Sequence, residues 1–224
     1  MSDVKPLRNL NNLRGGIKKQ WIWQHRENYY KSNDYLQKIN YCIQDLNHEI
    51  MYLANPSMKE AIYTIVLVDW IREAVDALPA LLSSGALDRF VFPKQAEAAL
   101  AKQYLAAIRS FAVAHPLSTN RHYKFGFDGD KICVDIRSKG NIITQPFTKE
   151  EDWYHLDFGG LVSNAKDKSA DFVLLIYSKE TDNMRFFKYI GADFSDIYHV
   201  AAVYIEKLYA MDRYLGKLRK KDLM

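Results

Sequence analysis

Cysteine is scarce: Cys42 and Cys133 are the two in 224 residues. So few, so far apart, exclude a disulfide framework and a cysteine-rich zinc site, and fit a reducing compartment. Long apolar runs are also missing. The most hydrophobic stretch, "AIYTIVLVDWIREAV", is broken by Asp69 and then by Arg72 and Glu73, and "MSDVKPLRNLNNLRGG" lacks the apolar centre of a signal peptide. A cytoplasmic protein that neither spans nor enters a membrane is the expectation. Glycine never gathers into a phosphate loop: "RGG" at 14–16 and "FGG" at 158–160 stand alone. Without a strand-to-helix context or a following Lys-Ser/Thr, they argue against a nucleotide-hydrolysing or dinucleotide-binding enzyme.

What is present is an ordinary globular balance. Hydrophobic residues make up 48% of the chain and charged ones 26%, enough to bury a sizeable core. The net charge of +4 is mild, but its placement is uneven. Lys5, Arg8, Arg14, Lys18 and Lys19 crowd one end, and Lys217, Arg219, Lys220 and Lys221 the other. Basic ends suit an anionic partner such as nucleic acid; they equally serve as solvated tails.

Periodicity divides the chain. Residues 1–33 read as a basic N-terminal arm, with Gly15 and Gly16 as breakers and Trp21 and Trp23 placed to stack on bases or to pin the arm to the body. Residues 34–224 read as a single mainly helical domain. After caps at Ser32 to Asp34, Tyr35, Ile39, Cys42, Leu46, Ile50 and Leu53 recur at spacings of three and four, as on an amphipathic helix. Ser57 and Glu60 form a capping-box pattern before a second helix over 59–78, apolar on most faces and expected to be the most buried. Pro93 suits the first turn of a third helix, which reaches Ala114 and is halted by Pro116.

The period then changes to two. "YKFGFDGDKICVDIR" and "DFVLLIYSKETDNMRFFKYIG" each read as a strand, a turn and a strand, separated by a long loop over 144–170. Finally Ile197, Ala201, Tyr204, Leu208, Met211, Leu215 and Leu218 alternate spacings of four and three after caps at Asp193 or Ser195. That seam can pack on the other helices or on a second copy of itself. The expected fold is α+β, mainly α. It is a bundle of about four long helices, with a small antiparallel β insertion at about 122–192 between the third and fourth.

Chemistry-bearing side chains cluster in "IRSFAVAHPLSTNRH", 108–122, where Arg109 and His115 are separated by five residues. With helices around it, this Arg-x5-His motif resembles the HEPN superfamily of small helical domains, many of them metal-independent ribonucleases that act as dimers with a composite site. The resemblance implies His115 as general acid or base and Arg109 as the phosphate-steadying cation, with no cofactor and no metal. Ser110 stands where family members commonly carry Asn or another polar residue, and the β insertion is additional to the minimal helix set. The residue types fit: cleavage by the 2′-hydroxyl needs one proton removed, one delivered to the 5′-oxygen, and positive charge beside the crowded phosphate. Ser110, Asn120, Arg121 and His122 are the candidate substrate contacts.

On a straight helix, however, His115 shares the apolar stripe of Tyr104, Ile108 and Phe111, and Arg109 lies about 120° away. A helix end with a packed histidine therefore stays open as the alternative. Glu150, Glu151, Asp152, His155 and Asp157 are metal-ligand types in one segment, without the spacing of a calcium loop or zinc motif. Cys133 reads as a small buried hydrophobe. Three functions are compatible with this pattern. The first is a HEPN-like RNA-binding or RNA-cleaving homodimer of a toxin or phage-defence system. The second is a non-enzymatic interaction protein that dimerises through the 197–218 seam and binds nucleic acid or an acidic partner. The third is a ligand-sensing module lined by some of the 15 tyrosines and 11 phenylalanines.

Overall fold

The computed structural model describes residues 4–21, 26–82, 87–114, 121–126, 131–141, 152–165, 170–179 and 185–218. The fold is α+β and mainly α. Five α-helices occur among these residues: α1 (Gly16–Trp21), α2 (Arg26–Glu49), α3 (Met58–Leu81), α4 (Gln95–Arg109) and α5 (Phe194–Lys217). Five strands, β1 (Lys131–Ser138), β2 (Trp153–Leu156), β3 (Val162–Asn164), β4 (Phe172–Lys179) and β5 (Arg185–Ala192), form one sheet in the order β1-β4-β5-β2-β3. No helix among the described residues is long and apolar enough to cross a membrane.

The chain divides into two compact units. The first holds residues 1–5, 49–66 and 99–200, and so the whole sheet. Its core is built from Tyr104 and Ile108 of α4, Phe111 just beyond it, Phe172 and Leu174 of β4, Ile190 of β5, and Phe194 and Ile197 of α5, all fully buried. The sheet is mixed rather than wholly antiparallel. β2 runs parallel to β5, with Tyr154 opposite Ile190 and His155 opposite Gly191, whereas β1–β4, β4–β5 and β2–β3 are antiparallel. β2 and β3 lie within the segment expected to be a loop. At four and three residues, they are too short for their alternation to stand out from a charge-rich surrounding. Trp153 stacks on Tyr189 at 4.5 Å across the parallel pair.

The second unit holds residues 6–48, 67–98 and 201–224. Its core comprises Ile17 of α1, Ile39, Ile43 and Leu46 of α2, Ile71, Val75 and Leu78 of α3, and Leu208, Met211 and Leu215 of α5. α2 begins at Arg26, before the caps expected at Ser32 to Asp34. Ser32 is buried rather than exposed at a helix start. The segment expected to be an arm contains α1 and a 3-10 turn, Leu10–Asn12. Reciprocal bonds fix it: the Leu7 amide donates to Asn47 Oδ1 at 2.6 Å, and Asn47 Nδ2 to the Leu7 carbonyl at 2.9 Å.

The heptad seam of α5 is occupied within the chain. Ile197, Ala201, Tyr204, Leu208, Met211 and Leu215 are all 2% exposed or less. Between the two packings the pattern allowed, the seam serves the chain's own core.

Candidate functional site

Two groups of chemistry-bearing residues stand in the first unit and a groove in the second. The first group lies at the end of α4. Arg109 is the last α-helical residue, half-buried, and Ser110–Ala114 continue as a π-turn, the wider winding that accommodates an extra residue. Tyr104, Ile108 and Phe111 are sealed in the core, as their shared stripe predicts. His122 folds back onto this end: its ring lies 4.4 Å from Phe111, and Nε2 donates to the Ser110 carbonyl at 3.1 Å. Ser110 and His122 are thus brought together, but both are buried, and the Ser110 hydroxyl has no hydrogen-bond partner among the described residues. Arg121 opens the 3-10 turn Arg121–Phe125. His115 and Asn120 lie outside the described residues, as do Glu150 and Glu151.

The second group is centred on the start of α5. Asp193 precedes the helix and Asp196 sits in its first turn, three residues on and therefore on the same face. The Asp171 amide donates to Asp193 Oδ1 at 3.0 Å, and Asp171 Oδ2 accepts from the Phe194 amide at 2.9 Å. This reciprocal pair orients Asp193 so that its second oxygen faces His155, whose Nε2 is 3.4 Å from Oδ2. Ligand atoms of His155, Asp193 and Asp196 all lie within 4.8 Å of one another. Burial, then the neighbouring charge of Asp193, pushes the Asp196 carboxyl up, while His155 and His199 pull it back. Burial likewise raises Asp171. Around the group stand Asp157, which accepts from the Ser163 hydroxyl at 3.0 Å, and His199, packed 5.0 Å from Phe158.

Sequence reasoning singled out His155 and Asp157 as ligand types, took Asp193 for a helix cap and passed over Asp196. The signal that was available is the three-residue spacing of two aspartates at a helix start. What joins them to His155 is the parallel pairing of β2 with β5, which no local pattern records. Asp152 faces elsewhere, 3.4 Å from Lys188 Nζ.

In the second unit, Leu10, Lys18, Tyr29, Asn33, Gln37, Asn40 and Tyr41 are among the residues lining a groove of about 850 Å³. Tyr29 and Tyr41 are exposed, and no acidic residue is among its lining. The cysteines offer no nucleophile. Burial pushes the Cys42 thiol up to about 11 and the Cys133 thiol up to about 12.

Fold and sites together define a mainly helical α+β protein with an arginine-closed helix end, a histidine–aspartate cluster and a polar groove. No protein-family model, curated protein or solved structure matches the chain.

Proposed function

We propose that this chain is a HEPN-like RNA-binding protein that cleaves RNA without a metal, working as a cytoplasmic homodimer. The observation that carries the reading is the groove of the second unit. Exposed Tyr29 and Tyr41 offer faces for bases, Asn33, Gln37 and Asn40 offer paired donors and acceptors, and Lys18 offers a cation for the phosphate backbone. Single-stranded RNA presents all three complementary features.

Cleavage is assigned to the end of α4. Arg109 supplies a fork of donors for phosphate oxygens and His115 the proton transfers, with Asn120 and Arg121 beside the scissile phosphate. Ser110 and His122 are engaged with each other through the Ser110 carbonyl and His122 Nε2. What supports this part is the long helices of the fold and the change of winding directly after Arg109.

The test uses a labelled single-stranded RNA with parent, His115→Ala and Tyr41→Ala chains, read by gel shift and by cleavage products. His115→Ala is expected to bind as the parent does and to lose cleavage by about 100-fold or more; Tyr41→Ala is expected to bind several-fold more weakly. A parent that neither binds nor cuts RNA, or a His115→Ala chain that cuts at the parental rate, overturns the reading.

A further inference from the structure

We propose that His155, Asp193 and Asp196 form a binding site for one divalent transition-metal ion, of which Zn2+ is the best match. The site is separate from the RNA chemistry assigned to Arg109 and His115 and does not rest on it.

Two observations carry it. The first is the convergence of one imidazole and two carboxylates, whose ligand atoms lie within 4.8 Å of one another. Three protein ligands with a further position open to water is the composition of a catalytic or exchangeable zinc site rather than a closed structural one. The second is the state of His155. The residue is 6% exposed, and its ring is set against the two carboxylates. Its Nε2 is paired with Asp193 Oδ2 at 3.4 Å. The spacing itself is informative: two ligands each about 2.1 Å from a tetrahedral zinc lie about 3.4 Å apart.

The surroundings agree. His155 is accommodated by the glycine opposite it. A Cβ at Gly191 would stand 3.3 Å from His155 Nδ1 and 2.8 Å from the Ala170 Cβ. Asp193 is held in place through its other oxygen by the Asp171 amide, so the ligand arrives already oriented, as outer-shell partners do in metal sites. A metal takes both aspartates as carboxylates. Two carboxylates and a neutral imidazole then balance a charge of +2. A nitrogen donor selects zinc-like ions over Mg2+ and Ca2+, which prefer oxygen alone.

The experiment is calorimetric titration of the full chain, free of any affinity tag and stripped with EDTA, with ZnCl2 near neutral pH. His155→Asn and Asp196→Asn chains are titrated alongside, and their folding is checked by circular dichroism. The parent is expected to take up one Zn2+ per chain, and each variant to lose affinity by more than about 100-fold, beyond what loss of an outer-shell partner costs. Should His155→Asn fail to fold, Asp196→Asn decides, because Asp196 is half-buried and holds no backbone amide among the described residues. A parent that binds no Zn2+, or an Asp196→Asn chain that binds as tightly as the parent, overturns the proposal. The latter outcome would place the ion on other histidines.

Discussion

Asp212, 1% exposed, is a carboxylate that must find donors inside the fold. It accepts from the Arg14 amide at 2.6 Å and from the Ile17 amide at 2.9 Å, so a residue of α5 caps the start of α1. The approach leaves no room at Gly16, where a Cβ would overlap the Asp212 carbonyl and crowd the Gly216 amide. Gly16→Ala is therefore expected to destabilise the protein by about 2 to 3 kcal/mol, the cost of overpacking a tight contact. Urea unfolding measures it, and a midpoint equal to the parent's would show that α1 is not seated against Asp212. The pair Gly15–Gly16 is legible in the sequence as a breaker, and Gly15 does adopt a φ of +84°. The demand on Gly16 is not legible, because it is imposed by residues close to the other end of the chain.

Among the elements, α3 starts as its sequence pattern predicts. Glu60 accepts from the Ser57 amide at 2.9 Å and from the Ser57 hydroxyl, while the Lys59 amide donates to Ser57 Oγ at 3.2 Å. The Ser57 hydroxyl, and after it the Ser57 amide, hold the Glu60 carboxyl below its ordinary value. A carboxylate with a depressed value contributes stability above its unfolded pKa of about 4.3 and loses that contribution as pH falls through the folded one. Glu60→Gln is thus expected to melt below the parent at neutral pH, by the equivalent of about 0.5 to 1 kcal/mol. The two melting curves should converge below about pH 4. A difference independent of pH would remove the charge from the explanation. The cap was legible because its partners are three residues apart. β2 and β3 were not, being held by pairing with β5 and with each other rather than by any run of their own. The histidine–aspartate cluster inherits that invisibility: its aspartates sit at the start of α5, but its histidine comes from β2.

For the whole molecule, the clearest signal in the sequence, the seam of α5, was ambiguous in what it packs against. Heptad spacing specifies a buried stripe and leaves the identity of the partner helix open. In the structure Leu208, Met211 and Leu215 are fully buried beside Ile71, Val75 and Leu78 in the core of the second unit, and α5 is covered on more of its faces than α3. The expectation that α3 would be the most buried helix rested on its apolar composition. Its exposed Tyr63 and Trp70 show that composition alone does not assign a face, and Lys38 lies over the Trp70 ring at 3.4 Å. If the seam is core, truncating it acts on stability and not on assembly. Leu208→Ala should cost about 2 to 5 kcal/mol, as removal of a buried leucine side chain does, and leave the mass measured by light scattering equal to the parent's. A variant with parental stability and half the parental mass would instead place the seam between two chains. The HEPN-like dimer proposed above would then need a different arrangement of its helices, because one apolar stripe cannot fill the core and face a partner at once.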